Sequence, residues 1–263
     1  MSPLNSEKIE QMTKAHYKLQ TGCYLKGTSD LGGAIYSIGK YISDCYWNYA
    51  SLVRTTSDQV GNLIAKVDEF SKSNGRKSAF YLDPSTQPPD FSELVQKAGF
   101  ALEAQEIWMI HNKKDDLKNI VESPDVKIDV LKTSDQMTEY VKVFNDGFGM
   151  SSDAYGVSLQ DAFRNPSGSV EIIHYLAYFN GKVCGVASLY SAGSVGGIYN
   201  VTTLSEYRGH GIGTALNKRA VLDSLNRKHE LLILQTEENS AAYRIYERMG
   251  FQPGFSASIY LKG

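Results

Sequence analysis

The residue pattern with the clearest chemical meaning is a glycine-rich turn between an extended segment and a helical one. Residues 198–204 are rich in β-branched and aromatic side chains, which predicts a strand, and residues 215–227 place apolar side chains on one face at helical spacing. The turn at residues 207–214 reads Tyr-Arg-Gly-His-Gly-Ile-Gly-Thr. Glycines let backbone N–H groups turn toward a ligand, and a helix N-terminus adds partial positive charge. The strand-turn-helix unit therefore predicts a phosphate site.

The spacing of the glycines narrows the choice of phosphate ligand. A dinucleotide fingerprint that starts at Gly209 needs glycine where Thr214 stands, and a P-loop needs Gly-Lys-Ser/Thr at the end of the turn. Neither pattern is met. The turn instead reads R-x-x-G-x-G, formed by Arg208, Gly211 and Gly213, and this resembles the acetyl-coenzyme A (acetyl-CoA) signature of the GNAT superfamily of N-acetyltransferases. The resemblance implies that the loop amides hold the cofactor diphosphate.

A second segment, residues 239–251, is similar to another motif of the same family. It follows a predicted strand at residues 231–236 and reads N-x-x-A-x-x-x-Y-x-x-x-G-F. In this pattern Asn239 is predicted to cap the helix that follows, and Gly250 is predicted to end it. Two motifs in the expected order, separated by a helix and a strand, indicate a GNAT domain.

The GNAT resemblance implies a set of cofactor-binding residues. The pantetheine arm is expected beside the strand before the loop, where a bulge is expected to direct a backbone amide toward the thioester oxygen, a type of donor that stabilises developing negative charge in other enzymes. If the resemblance is set aside, the glycines also fit close packing of a strand against a helix. The residues expected to bind the cofactor are Val201, Thr202, Thr203, Arg208, Gly209, His210, Gly211, Ile212, Gly213, Thr214, Asn239 and Tyr246.

Tyr246 is the predicted catalytic proton donor. An unperturbed tyrosine has a pKa of about 10, so it is protonated at neutral pH and can protonate a departing thiolate. Tyr243 is the alternative on the same helix, but Tyr246 alone stands four residues before the Gly-Phe pair. The general base is not identified: Glu171 and His174 on an earlier strand are candidates, and a water relay or an already neutral amine are alternatives.

The composition limits the class of protein and its partners. The chain has 263 residues, 42% of them hydrophobic, and a formal net charge of −2, so it can build one large or two small cores and has no polybasic surface for nucleic acid or membrane. Cys23, Cys45 and Cys184 are too few and scattered for a disulfide framework or zinc site, so we expect reduced thiols and no metal. No signal peptide or membrane-spanning run is evident, which predicts a cytoplasmic protein.

The N-terminal half contains a partial copy of the second motif. An offset of 151 positions places Gly99 on Gly250, with similar helix and strand patterns on either side. The copy lacks the residue types that face the cofactor; Val95, for example, stands where the C-terminal half has Tyr246. The N-terminal half is therefore interpreted as a GNAT-like domain that does not bind coenzyme A. An unrelated α/β domain with a chance match is the alternative.

Two domains are predicted, residues 1–122 as a degenerate GNAT-like or accessory domain and residues 123–263 as the acetyl-CoA-binding GNAT domain, joined by a polar linker at residues 113–125. In the second domain Asn-Gly at residues 180–181 predicts a β-hairpin. The predicted order there is β-α-α-β-β-β-α-β-α-β-β, an α/β (α+β) fold with a mixed central sheet flanked by helices. Residues 145–156 are interpreted as a mobile acceptor-site lid or as an ordinary surface loop.

These features predict an N-acetyltransferase that moves an acetyl group from acetyl-CoA to a primary amine by direct attack. The acceptor is expected to be a small molecule or a protein, and the enzyme a monomer or homodimer. A non-catalytic acyl-CoA sensor is the alternative from another functional class. A nucleotide-binding α/β module is the third, and the absence of glycine at Thr214 disfavours it.

Overall fold

A computed structural model of the protein describes residues 4–112, 117, 120–150 and 152–263. The chain divides into two compact units: unit 1 contains Met1–Trp108 and Gly254–Gly263, and unit 2 contains Met109–Pro253. The units thus differ from the predicted domains in two places. Unit 2 begins at Met109 rather than at residue 123, and residues 254–263 belong to unit 1. The predicted linker, residues 113–125, lies partly outside the described residues.

Unit 1 is a mixed sheet with helices around it. Its elements are α1 (Ser6–Gln20), β1 (Leu25–Asp30), β2 (Ile35–Gly39), β3 (Tyr49–Ser51), α2 (Val60–Ser73), β4 (Ala79–Leu82) and α3 (Phe91–Lys97), together with most of β5 (Phe100–His111) and most of the last strand, β11 (Phe251–Lys262). The strand order is β1-β2-β3-β4-β11-β5. The pairing of β3 with β4 is parallel and rests on one residue pair, Ala50 with Phe80.

Local sequence signals account for α1 and β4 of unit 1, but not for its first strands. Asn5 caps α1 by accepting a hydrogen bond from the Lys8 backbone N–H. The strand at residues 79–82 is fully buried, as its apolar run predicts. The tyrosine-rich run at residues 41–53, however, yields only the three-residue β3, whereas the preceding glycine-rich stretch forms the β1–β2 hairpin. Tertiary pairing overrides weak local strand signals here.

The described residues of unit 2 form five further strands and four α-helices. They are β6 (Val126–Val130), α4 (Ser134–Phe148), α5 (Ala154–Arg164), β7 (Glu171–Phe179), β8 (Lys182–Ala192), β9 (Val195–Thr203), α6 (Ile212–Asn226), β10 (Leu231–Thr236) and α7 (Ala241–Arg248). The strand order is β10-β9-β8-β7-β6. Pairing is antiparallel except between β9 and β10, which are parallel.

The predicted hairpin between β7 and β8 is confirmed. Asn180 and Gly181 both have positive φ, 49° and 78°, as a tight two-residue hairpin turn requires. Helix α6 packs closely on strand β8 at Gly185. A Cβ on Gly185 would lie 2.6 Å from Ile212 Cγ2. Glycine at this position therefore allows the first turn of α6 to approach the sheet.

Two local predictions for the C-terminal half are wrong, and the start of α4 adds a detail. The cap of α4 is Thr133, which forms a capping box with Gln136. Most of the predicted loop at residues 145–156 is helical, because α4 extends to Phe148 and α5 begins at Ala154. The two terminal strands expected after α7 are one long strand, β11. Residues 258–261 of β11 pair with β4 and so belong to unit 1.

The two halves of the chain repeat one order of elements. The series β1-β2-β3-α2-β4-α3-β5 is followed, after β6, α4 and α5, by β7-β8-β9-α6-β10-α7-β11. In each series the third and fourth strands are parallel neighbours joined by a helix. The short sequence match around Gly99 and Gly250 is thus part of a match in topology.

Candidate cofactor site and catalytic residue

The predicted glycine loop joins β9 to α6 and takes the conformation that its glycines allow. A 3-10 turn at Ser205–Tyr207 is followed by Gly209 with φ +86° and Gly211 with φ +81°, both left-handed, and α6 begins at Ile212. Residues with a side chain adopt this region at a cost in energy. The two glycines therefore fold the chain into a tight loop directly before a helix N-terminus.

The loop presents a row of unpaired backbone donors. Within the described part of the chain, the N–H groups of residues 209–214 donate no hydrogen bond to protein; the first helical N–H to do so is that of Ala215, which bonds to the Gly211 carbonyl at 3.0 Å. The first N–H groups of a helix have no acceptor within the helix, and consecutive free N–H groups make an anion-binding concavity. The diphosphate of coenzyme A fits this chemistry.

Close packing does not explain all of the loop glycines. Gly213 has ordinary helical backbone, and a Cβ placed on it would meet only Ile245 Cδ1, at 3.4 Å, which is an ordinary contact. Glycine inside a helix is less stable than alanine by roughly 0.5–1 kcal/mol. The fold alone thus favours alanine at this position, whereas the approach of a ligand to the helix N-terminus favours glycine.

The side chains of Arg208 and His210 lie at the surface of the loop. The Arg208 guanidinium donates to the carbonyl oxygens of Thr203 (3.3 Å) and Gly147 (3.4 Å). The His210 ring contacts Phe179, with 4.8 Å between ring centroids, and its Nδ1 lies 3.2 Å from the carbonyl oxygens of Tyr207 and Arg208. Arg208 adds the one side-chain cation of this loop, beside its free N–H groups.

Strand β9 separates from β10 just before the loop. Their parallel pairing covers only residues 195–197 of β9 and ends at Gly197, although both strands continue. On the other side, β9 carries one extra residue against β8 between the pairs Ser188 with Tyr199 and Val186 with Thr202. Asn200 lies in this bulge with φ +61°. The backbone of residues 198–203 therefore lies beside an opening between two parallel strands, as the resemblance implies for a pantetheine arm.

The three predicted residues at the end of β9 differ in exposure. Val201 and Thr203 are half-buried, and Thr202 is buried. A Cβ placed on Gly147 would lie 2.5 Å from Thr202 Oγ1, so the absence of a side chain at that residue of α4 makes room for Thr202. This close approach also places the end of α4 beside the loop, where it accepts the hydrogen bond from Arg208.

Tyr246 is buried on α7, with 6% of its surface exposed, and its ring makes an edge-to-face contact with Phe251 at 5.9 Å. Burial raises its pKa above the ordinary value of 10.0. Its hydroxyl forms no hydrogen bond with any described residue. Tyr243, the alternative donor, is less buried, and desolvation and the nearby Glu247 carboxylate raise its pKa. A firmly protonated phenol without a protein partner can act as a proton donor.

Asn239 stands next to the helix that it was predicted to cap. The cap of α7 is Ser240, whose side chain accepts a hydrogen bond from the Tyr243 N–H at 3.0 Å, so the cap prediction for Asn239 is wrong. Asn239 itself is exposed in a left-handed conformation, φ +61°, and its carbonyl accepts from Arg244. The Asn239 side chain therefore does not cap α7.

The two candidate bases on β7 are both engaged by protein. Glu171 is exposed and forms an ion pair with Arg227 at 2.7 Å. His174 is buried, and desolvation lowers its pKa to about 3; its Nδ1 lies 2.8 Å from Ser188 Oγ. Neither residue is therefore a ready base for an amine. The residues that sequence reasoning missed are Gly147 and Asn200, neither of which belongs to a recognised motif.

A comparison with protein-family models places this geometry in a family. The segment from residue 171 to residue 253 matches the model described as "Acetyltransferase (GNAT) domain". Residues 171–253 are a GNAT domain. The glycine loop and Tyr246 both lie within it, as the motif resemblance predicts. No curated protein matches the chain in sequence.

Solved structures extend the GNAT fold to the whole chain. A GCN5-related N-acetyltransferase from Kribbella flavida has a TM-score of 0.72 at 13% identity, covering 100% of this chain and 96% of its own. One from Sphaerobacter thermophilus has a TM-score of 0.68 at 15% identity, covering 98% and 85%. A tandem GNAT protein from the clavulanic acid biosynthesis pathway has 0.61 at 16%, covering 87% and 77%. The predicted fold class, including a second GNAT-like domain in the N-terminal half, is confirmed.

Two further searches of the described residues found no additional feature. None of their helices combines the length and hydrophobicity that crossing a bilayer requires. They also contain no group of three or more His, Cys, Asp or Glu side chains placed to hold a metal ion.

Proposed function

We propose that the protein is an acetyl-CoA-dependent N-acetyltransferase that acts on a primary amine of a small molecule or protein. The observation that carries the proposal is the row of free N–H groups at residues 209–214. This row follows the part of β9 that is no longer paired with β10. Bound acetyl-CoA supplies the thioester carbonyl that the amine attacks. The N–C bond forms as the C–S bond breaks, and the amine loses a proton to water.

Different residues of unit 2 bind the cofactor and transfer the proton. The N–H groups of residues 209–214 and the Arg208 guanidinium bind the diphosphate, and the half-buried backbone of Val201 and Thr203 lies along the pantetheine arm. Asn239 offers its exposed side-chain amide to the same arm. Tyr246 Oη gives its proton to the departing sulfur and recovers one from water, and its burial keeps the phenol protonated until that step.

Release of free thiol from acetyl-CoA tests the proposal. The full-length protein is incubated with acetyl-CoA and a panel of primary amines that includes small polyamines, amino sugars and lysine-containing peptides. We expect thiol release that depends on the amine and is lost when Arg208 is replaced by Glu. Absence of coenzyme A binding by calorimetry would overturn the proposal.

A non-catalytic acyl-CoA sensor is the second candidate. It is favoured by one observation: Glu171 and His174, the candidate bases on β7, are held by Arg227 and Ser188. The sensor would bind coenzyme A with the same loop but release no thiol with any amine in the panel. Transfer to an amine that is already neutral needs no such base, so a rise in rate with pH toward the pKa of the amine would support the enzyme.

A further inference from the structure

Three buried or half-buried side chains of unit 2 meet at the hydroxyl of Ser188, in the middle of β8. The Tyr140 hydroxyl lies 2.6 Å and His174 Nδ1 2.8 Å from Ser188 Oγ. Asn200 Nδ2 donates to Ser188 Oγ and to the Tyr190 hydroxyl, each at 3.4 Å. We call these five residues the Ser188 network. Ser188, Tyr140 and Tyr190 are completely buried.

The bonding capacity of Ser188 matches these partners. A serine hydroxyl has one donor and two acceptor positions. If Ser188 donates to His174 Nδ1, it can accept from Tyr140 and from Asn200, and all three contacts are satisfied. This arrangement requires a neutral imidazole, and burial indeed lowers the pKa of His174 to about 3. The network therefore uses His174 as a fixed hydrogen-bond acceptor.

Asn200 connects the network to the cofactor opening. It is the left-handed residue of the β9 bulge and directly precedes Val201. Asparagine adopts the left-handed region more readily than most residues with a side chain, but still at a cost that its surroundings must offset. The two hydrogen bonds of the Asn200 amide to Ser188 and Tyr190 offset that cost.

We propose that the Ser188 network is a positioning device that holds Asn200 in its left-handed conformation and thereby fixes the direction of the β9 backbone beside the thioester. The inference rests on the proposed function. None of the five residues is placed here in contact with substrate. They act through the bulge, so their loss should change the alignment of the reacting groups more than the binding of coenzyme A.

The chain offers a matched control for the serine at the centre of the network. Ser191 lies on the same strand and is buried, and its hydroxyl has no partner among the described residues. Ser188→Ala should lower kcat for thiol release about tenfold with less than a twofold change in KM for acetyl-CoA, since small misplacements of reacting groups are costly in rate. Ser191→Ala should leave both constants unchanged. Equal effects of the two substitutions would overturn the proposal.

A second pair of variants tests the bulge without removing the buried hydroxyl. Glycine adopts the left-handed conformation freely, so Asn200→Gly should keep most of the turnover, whereas Asn200→Ala should lower it as Ser188→Ala does. In the Asn200→Gly background, Ser188→Ala should have little further effect, because the network then has no side chain to act on. A full tenfold loss in that background would show that the serine acts by another route.

Hydrogen exchange separates this inference from the proposed function. Amides of residues 198–203 should exchange about tenfold faster in Ser188→Ala than in wild type or Ser191→Ala, and this comparison needs neither cofactor nor amine. Unchanged exchange would refute the network. Accelerated exchange in a protein that fails to bind coenzyme A would refute the proposed function and leave the network standing.

Discussion

The loop after β3 in unit 1 and the loop after β9 in unit 2 occupy the same place in the repeated fold but treat their backbone donors differently. In unit 1 the Arg54 N–H bonds to the Gly33 carbonyl at 2.8 Å, and the Thr55 N–H bonds to the Gln87 carbonyl at 3.2 Å. In unit 2 the N–H groups of residues 209–214 bond to no described residue. The start of the unit 1 loop is held by its own protein, whereas residues 209–214 of unit 2 leave their N–H groups open to an anion.

The comparison teaches that the parallel strand pair and its connecting helix do not by themselves make a cofactor site. Both units have that arrangement. Only unit 2 adds two left-handed glycines before the helix, while the unit 1 helix follows a 3-10 turn at Ser57–Gln59. The glycines give the unit 2 loop a left-handed backbone that the unit 1 loop lacks, and the rest of the fold is kept without them.

The largest effect is expected at Tyr246 in α7 of unit 2. The equivalent position in α3 of unit 1 is Val95. Tyr246→Phe should lower kcat for thiol release by about 10²–10⁴-fold, the usual contribution of a proton donor, without changing coenzyme A affinity. Its hydroxyl has no partner among the described residues, so thermal stability should not fall. Tyr243→Phe serves as the control. Equal losses in the two variants would contradict the assignment.

The next effect concerns the charge of the open loop. Arg208→Glu removes a cation and adds an anion beside the free N–H groups, and should weaken coenzyme A binding about 100-fold or more by calorimetry. Lys72→Glu in α2 of unit 1 makes the same change of charge as a control and should leave binding unaffected. Wild-type affinity for coenzyme A in Arg208→Glu would contradict a role of this charge in cofactor binding.

A smaller effect on coenzyme A binding is expected from one methyl group added in the first turn of α6, with α2 for comparison. Gly213→Ala in α6 and Gly61→Ala in α2 place it in the first turn of equivalent helices, and neither Cβ would clash. Both should raise the free energy of unfolding by roughly 0.5–1 kcal/mol. Only Gly213→Ala should weaken coenzyme A binding, by about tenfold. Loss of stability in Gly213→Ala would instead indicate that this glycine serves packing.

The smallest difference between the two units is expected for their buried histidines. Burial lowers the pKa of His16 in unit 1 and of His174 in unit 2 to about 3. The unfolded histidine titrates near 6.5, so between pH 6.5 and 3 the unfolded state binds more protons, and stability falls as the pH falls. The slope approaches about 1.4 kcal/mol per pH unit for each histidine. In urea unfolding between pH 7 and 4.5, His16→Gln and His174→Gln should each reduce this loss; an unchanged slope would contradict it.

Much of the unit 2 site was accessible from the sequence because its signals are local. The glycine loop, the hairpin at residues 180–181 and the strand at residues 231–236 depend on backbone freedom and on short apolar runs. The resemblance of two motifs then supplied the expected roles. These roles remain predictions, whereas the fold that positions them is confirmed.

The features that sequence reasoning missed depend on contacts distant in the chain. A bulge before the loop was expected only from the family resemblance; its position at Asn200 arises from pairing between β8 and β9, and no residue type in the strand indicates it. The single strand β11 replaces an expected pair, because residues 258–261 find partners in β4 of unit 1. The glycine-rich β1–β2 hairpin has weak strand propensity and is likewise set by its tertiary pairing.

The most direct test of the account follows backbone amide signals of both loops by NMR while coenzyme A is added to the full-length protein. The account predicts large shifts at residues 209–214 that saturate with a single affinity, and no shifts at residues 54–59. Inorganic diphosphate should move the same six signals at higher concentration. Saturable binding that leaves residues 209–214 unchanged, or that shifts the loop of unit 1 instead, would contradict the central claim that the open donors of unit 2 hold the cofactor.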